Sequence, residues 1–267
     1  MSSKIKLMTS NVWADVFGNP VHPRDKLLCE LVREELPDVL FLQEMHPNWH
    51  KSDLKPVLAA LGYAESLPEL PEGQPLNYTP LFYKKSRLKE ISNGFLLYDG
   101  PNDYSSKSVS YALFELRRSK KRFAACSTHM YFAQNEEGEK ARISNAKQLA
   151  DISGKFPPGT PFFCGGDFNC DVKSLPFAVL DQSSIRCASL FAKKKINFIR
   201  THHKNPVYDV EAQKYTPAPL SQRPNDESID HVVFKGPARI LSYKVISDER
   251  ARIVSDHCPV VIEAAVE

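Results

Sequence analysis

Pro161-Phe-Phe-Cys-Gly-Gly-Asp-Phe-Asn169 is a short apolar run that ends in two polar side chains, and the fold follows from how often that arrangement recurs. The run is too short for a helix and suits a buried strand. Gly165 and Gly166 permit tight backbone geometry, and Asp167 and Asn169, two apart, point the same way from a locally extended backbone. A plain Gly-Asp turn between strands would explain Gly165 to Asp167 but gives Asn169 no role.

The pattern returns on both sides. Asn11 follows Ile5 to Met8, Gln43-Glu44 follows Val39 to Leu42, and Thr128-His129 follows Phe123 to Cys126. Ile229-Asp230-His231 and Ser255-Asp256-His257 sit at the edges of two later runs, Ile229 to Phe234 and Val260 to Ala265. With Leu81 to Tyr83 and Val109 to Leu116, these runs are short and rich in β-branched or aromatic residues, as buried strands are. Helical spacing appears between them. In 24–36, Leu27, Leu28, Leu31, Val32 and Leu36 recur at three- and four-residue intervals and stop before Pro37, and 137–152 repeats the theme. Weaker helical patterns lie at 53–61 and 174–181, and the polar, proline-bearing segments 65–80 and 201–228 are expected to be loops. The chain is predicted to be an α/β (α+β) protein, two packed sheets flanked by helices, in one domain over 1–267.

Composition sets limits on function. With 267 residues, 42% hydrophobic and 25% charged, the chain matches ordinary globular proteins. A net charge of +3 neither identifies nor excludes a nucleic-acid binder. No run reaches the ~18 apolar residues needed to span a bilayer, and Met1 to Met8 lacks a secretory hydrophobic region, so a cytoplasmic or other intracellular location is expected. The six cysteines show no paired metal-site spacing and are expected to be buried free thiols. No feature demands an oligomer, and a monomer accommodates the pattern.

Carboxylates, amides and imidazoles at six strand ends, without a cysteine cluster, suit a hard cation such as Mg²⁺. The ordered series resembles the endonuclease/exonuclease/phosphatase superfamily from Asn11 to His257, most specifically in Gly-Asp-Phe-Asn, then Ile-Asp-His, then Ser-Asp-His. That resemblance implies a four-layered sandwich of two mainly antiparallel sheets with the site at one end. It implies Glu44 as principal ligand of Mg²⁺, with Mn²⁺ an alternative, and Asn11 and Asp256 near the metal. Asp167 would position and deprotonate water, Asn169 and His129 would bind the phosphate, and Asp230 would hold His257 as a protonated partner of phosphate or water. The bland alternatives are an exposed glutamate, a turn asparagine and a salt-bridged structural histidine. Trp13 stands where some nucleases have an acidic residue, and His202-His203 are expected on a loop surface.

The expected reaction is metal-dependent phosphoester hydrolysis, with DNA or RNA as the first substrate class. Three basic clusters are available to a nucleic-acid backbone: Lys84, Lys85, Arg87 and Lys89; Arg117 to Arg122; and Lys193 to Lys195. Trp13, Phe17, Tyr131, Phe132 and Phe168 are candidates to stack on bases or line a lipid or inositol pocket. A small-molecule or lipid-headgroup phosphoesterase, and a noncatalytic binding protein, are the alternatives.

Overall fold

The computed structural model describes residues 3–16, 18–220 and 223–267, so Phe17 lies outside the described residues. The chain opens with β1 (Ser3–Asn11), α1 (Arg24–Glu35), β2 (Val39–Gln43), α2 (Pro47–Lys51) and α3 (Leu54–Ala60). Strands β3 (Tyr63–Ser66), β4 (Leu81–Lys84), β5 (Leu88–Leu97), β6 (Ser108–Leu116) and β7 (Arg122–His129) follow. Helix α4 (Glu136–Gly154) leads to β8 (Phe162–Asp167), α5 (Leu175–Gln182), β9 (Arg186–Cys187), α6 (Ala188–Phe191) and β10 (Lys194–Ile196). The remainder holds β11 (Val207–Asp209), β12 (Lys214–Thr216), β13 (Asp230–Lys235), β14 (Ala238–Val245), α7 (Glu249–Val254) and β15 (Val260–Val266). Every apolar run singled out in the sequence lies in or overlaps one of these strands.

Seven strands form one sheet in the order β10-β14-β15-β1-β2-β4-β3, and six form the other in the order β5-β6-β7-β8-β13-β9. Most neighbours are antiparallel, but β1 with β2, β7 with β8 and β10 with β14 are parallel. The two sheets face each other across a core that includes Ile5, Phe41, Phe114, Phe123, Phe163 and Ile262. The outer face of the seven-stranded sheet packs on α1, α3 and α7 through Leu28, Leu58 and Val254. Leu149 of α4 and Leu180 of α5 cover the six-stranded sheet. The result is four layers, helices, sheet, sheet, helices, because each sheet has two apolar faces to bury. Among the described residues no helix is long and apolar enough to cross a membrane, and all six cysteines are buried and free.

Two long strands, β5 and β14, are absent from the apolar runs of the sequence. Most of β5 is exposed or half-buried at a sheet edge, and Lys89, Glu90, Ser92 and Asn93 interrupt its hydrophobicity. The expected loop at 201–228 carries the small hairpin of β11 and β12.

Strand direction gathers the site. The parallel pairs β1–β2 and β7–β8 deliver their C-terminal ends, while β13 and β15 run antiparallel to β8 and β1 and deliver their N-terminal ends. Asp230 therefore sits directly opposite Asp167 in the β13–β8 register. Gly165 and Gly166 make this possible: a Cβ on Gly165 would collide with the Phe41 ring of the other sheet, and one on Gly166 with the Thr128 carbonyl of β7. Gly166→Ala is expected to destabilise by about 1–3 kcal/mol or more, since backbone rather than a side-chain tip must move. A urea midpoint equal to that of the wild type would show that the strands have more room than these contacts allow.

Candidate active site

At the gathered strand ends lies an open cleft of roughly 900 Å³, walled by Glu44, His129, Asp167, Asn169, Asp256 and His257 among others. Beneath it a buried polar chain joins the sheets: Thr9 donates to Gln43, Gln43 donates to Ser127, and Ser127 donates to the Leu42 carbonyl. Asn11, fully buried, is the central bridge. Its Nδ2 donates to Glu44 Oε1 and to Asp167 Oδ2, each at 3.0 Å, and its Oδ1 accepts the Trp13 N–H. The other Glu44 oxygen accepts from the Ala14 N–H at 2.7 Å, and Asp167 Oδ1 accepts from the Asn169 N–H at 2.8 Å.

Three non-glycine residues here adopt positive φ: Trp13 at 55°, Glu44 at 60° and Asn169 at 53°. Such conformations cost of order 1–3 kcal/mol each and persist where surrounding contacts enforce them. For Trp13 the enforcement is visible. Buried Arg24 donates to the carbonyls of Val12, Trp13 and Val254, and its guanidinium lies 5.1 Å from the Trp13 ring and 5.0 Å from the Trp49 ring.

A second group lies beside the first. His257 Nδ1 is 2.9 Å from Asp230 Oδ2, and that same oxygen accepts from Thr201 Oγ1 at 2.7 Å. His257 Nε2 is 3.9 Å from Asp167 Oδ2, which ties the two groups together. His129 Nε2 is 3.6 Å from that same Asp167 oxygen and 3.4 Å from Lys107 Nζ.

Similar groups are driven apart electrostatically. Burial raises the Asp167 pKa to about 6, with the negative charge of Asp230 adding to it and His257 opposing. Burial would also raise Asp230, but the His257 charge and the hydrogen bonds from His257 and Thr201 outweigh it and hold the pKa below 3.8. Burial and Lys107 push His129 well below 6.5. Burial alone would lower His257 as well, yet Asp230, Asp256 and Asp167 surround it and raise it well above 6.5. Glu44 stays below 4.5 because His129, Lys107, the Ala14 N–H and Asn11 together outweigh its burial.

The profile of the endonuclease/exonuclease/phosphatase family matches residues 8–257. The chain belongs to that family. Its members are phosphoester hydrolases, generally dependent on divalent metal. A family protein from Bacteroides thetaiotaomicron superposes with a TM-score of 0.79 at 18% identity, covering 100% of this chain and 99% of its own. A mannosyl-6-phosphatase from that species gives 0.72 at 18% identity, with 97% and 99% covered. D. rerio TDP2, complexed with a single-strand DNA product, gives 0.70 at 17% identity, with 98% and 99% covered. At such identities these likenesses show the family fold alone. No curated protein sequence matches the chain.

Of the residues singled out in the sequence, Glu44, His129, Asp167, Asn169, Asp256 and His257 line the cleft, and Asn11 and Asp230 are buried directly behind them, hydrogen-bonded to Asp167 and His257 respectively. Asn11 acts as a bridge, because its amide and its oxygen are already engaged. Asp256 groups with His202 and His257 rather than with Glu44. Trp13 lines the cleft, as does Phe132, which is 50% exposed, whereas Tyr131 packs its ring 5.1 Å from that of Phe132 outside the cleft wall. Phe168 is no stacking platform: it is fully buried against Phe177 and His231.

Lys84, Lys85 and Arg87 are also displaced from the expected role. Arg87 donates to Asp38, and Lys84 N–H donates to the Asp38 carbonyl, at the start of β2 and so at the opposite end of the sheet from Glu44. Arg117 to Lys121 form the β6–β7 turn at that same far end, and Arg122 opens β7 opposite Glu115. His202 corrects the loop-surface expectation. The two adjacent histidines do diverge, but His203 is buried at 3.0 Å from Cys258 Sγ while His202 faces the cleft.

Lys107 and Thr201 escaped the sequence pattern. Lys107 immediately precedes β6, and because β6 runs antiparallel to β7, the start of β6 lies level with His129. A polar residue before an apolar run carries the same signal once the strand's direction is known.

The Asp230–His257 pair has a defined pH window. Its histidine contribution is complete below 6.5 and is lost as pH rises through the elevated His257 pKa; its aspartate contribution is present above 3.8 and is lost as pH falls through the depressed Asp230 pKa. In metal-free protein the His257 imidazole is expected to stay protonated well beyond pH 6.5, and in Asp230→Asn to titrate earlier. Imidazole NMR titrations that coincide in the two proteins would show that Asp230 does not hold the proton.

Proposed function

We propose that this chain hydrolyses phosphoesters with water as nucleophile and a divalent cation held at Glu44. The observation that carries the proposal is Asp167, a buried carboxylate with a raised pKa, 3.9 Å from the cationic His257 Nε2 and joined to Glu44 through Asn11. The donor set fits a hard cation. Glu44 uses each oxygen for one hydrogen bond, which leaves lone pairs facing the cleft, and Glu44, His129 and Asp167 present ligand atoms within 4.8 Å of one another.

When bound, the cation supplies positive charge for the phosphoryl oxygens and leaving group. Asp167 is placed to orient water and accept its proton, and its raised pKa makes it a stronger base than an ordinary aspartate. His257, held by Asp230 and Thr201, presents a protonated Nε2 to phosphate or water. Asn169 donates one amide hydrogen to the Met130 carbonyl, and its second hydrogen remains for a phosphoryl oxygen. Lys107, almost fully buried between Asp103 and His129, adds a fixed positive charge on the far side.

On substrate, a compact phosphoester fits better than a long polynucleotide path. None of the three basic clusters contributes to the cleft wall. A nucleotide chain end is the second reading, favoured by Tyr104 and Phe132, 79% and 50% exposed at the rim beside Lys107.

Hydrolysis of a panel of sugar phosphates, inositol phosphates, sphingomyelin, RNA and DNA should require a divalent cation and stop in EDTA. Asp167→Asn is expected to lower kcat by about 10² to 10⁴, and Glu44→Gln to raise the cation concentration needed for half-maximal rate. The Lys84, Lys85 and Arg87 triple alanine variant should keep the wild-type rate. Full turnover in EDTA after exhaustive metal removal would overturn the mechanism.

A further inference from the structure

Among the described residues, His202, Asp256 and His257 form a cluster that the hydrolytic scheme leaves partly unused. His202 Nε2 is 3.6 Å from Asp256 Oδ2, and Asp256 Oδ1 is 3.8 Å from His257 Nε2. The spacing is set by backbone: His202 and His257 are partners in an isolated antiparallel bridge, and the His203 N–H donates to the Asp256 carbonyl. Their rings lie 4.8 Å apart on the cleft wall.

We propose that these three side chains are a second cation site, selective for a borderline metal of the Zn²⁺ class over Mg²⁺. Nitrogen and carboxylate ligands at 2.0–2.2 Å around a tetrahedral ion stand about 3.4 Å apart. Each histidine is within a few tenths of an ångström of that distance from one Asp256 oxygen, and the three ligand atoms lie within 4.8 Å of one another, so side-chain rotation of up to about an ångström closes the site. Two imidazoles to one carboxylate suits Zn²⁺ and not Mg²⁺, which prefers oxygen and retains its waters. His257 already has the supporting contact of a metal-bound histidine, since its Nδ1 faces the Asp230 carboxylate. The ion replaces the proton on His257 Nε2, which passes to solvent. It thereby removes the donor that the hydrolytic scheme aims at phosphate, so the site is inhibitory; binding itself does not depend on that scheme, but the inhibition does.

The test uses the metal-free 267-residue chain at mildly alkaline pH, with Zn²⁺ partitioned between protein and a chromogenic chelator. His202→Ala should weaken Zn²⁺ binding at least about tenfold, the loss expected when even a supporting partner of a ligand is removed. The same drop should appear in a Glu44→Gln background, which separates this site from the first. In ¹⁵N NMR the ring nitrogens of His202 and His257 should shift with Zn²⁺ and not with Mg²⁺. Zn²⁺ should also suppress Mg²⁺-supported hydrolysis in wild type and less in His202→Ala, whose rate without Zn²⁺ stays at the wild-type level. Unchanged Zn²⁺ affinity in His202→Ala, or His202 nitrogens unmoved by Zn²⁺, would overturn the proposal. Zn²⁺ binding through His202 without hydrolysis of any phosphoester would leave the metal site standing and sink the hydrolase reading instead.

Discussion

One asparagine side chain holds the working end of this protein together. Two carboxylates from different sheets, Glu44 and Asp167, approach each other where water is scarce, and an unpaired buried charge costs several kcal/mol. The two hydrogens of Asn11 Nδ2 serve one carboxylate each, the Ala14 and Asn169 N–H groups donate to the remaining oxygens of Glu44 and Asp167, and the Trp13 N–H donates to Asn11 Oδ1 and fixes the amide. The geometry requires both sheets to present their edges at one level. The glycine pair before Asp167, the Thr9–Gln43–Ser127 chain and the Arg24 clamp on the Trp13 loop all serve that alignment.

From this alignment comes a division of labour among chemically similar groups. Asp167 and Asp230 are paired across β8 and β13, yet one lies above and the other below the ordinary aspartate pKa, because Asp230 has a cationic histidine and a threonine hydroxyl while Asp167 meets His257 only at a distance. His129 and His257 diverge for the mirrored reason, one facing Lys107 and the other three aspartates. A carboxylate with a raised pKa and a histidine with a raised pKa therefore stand side by side without any unusual residue type, and environment alone makes the difference.

The same fold carries a mannosyl-6-phosphatase and a protein complexed with a DNA product, so the fold by itself does not choose a substrate. Around the cleft the loops place Tyr104 and Phe132 at the rim and Lys107 behind them. The clustered basic residues that catch the eye in the sequence lie elsewhere, Arg87 tied to Asp38, Arg117 to Lys121 in a distant hairpin turn and Lys194 and Lys195 on the edge strand β10. The cations that do line the cleft, Lys107, Arg142, Arg200 and Arg223, are scattered along the chain. Net charge of +3 is thus a poor guide to what enters the cleft.

The sequence by itself determined the strands buried on both faces, because continuous apolar runs such as Val39 to Leu42 leave no alternative. It also determined the polar residues after those runs, because a strand must end in something solvated or useful. The half-exposed β5 was not legible, since edge burial leaves no clear run or alternation. Tertiary structure alone decided which residues before a strand reach the site, as with Lys107, because pairing direction is not written in any one segment. It also turned Phe168 into the core, carried Lys84, Lys85 and Arg87 to the far end, and drew His202 into the cleft. Those outcomes depend on which sheet, end and face a side chain occupies, quantities that arise only when segments tens of residues apart in the chain pack together.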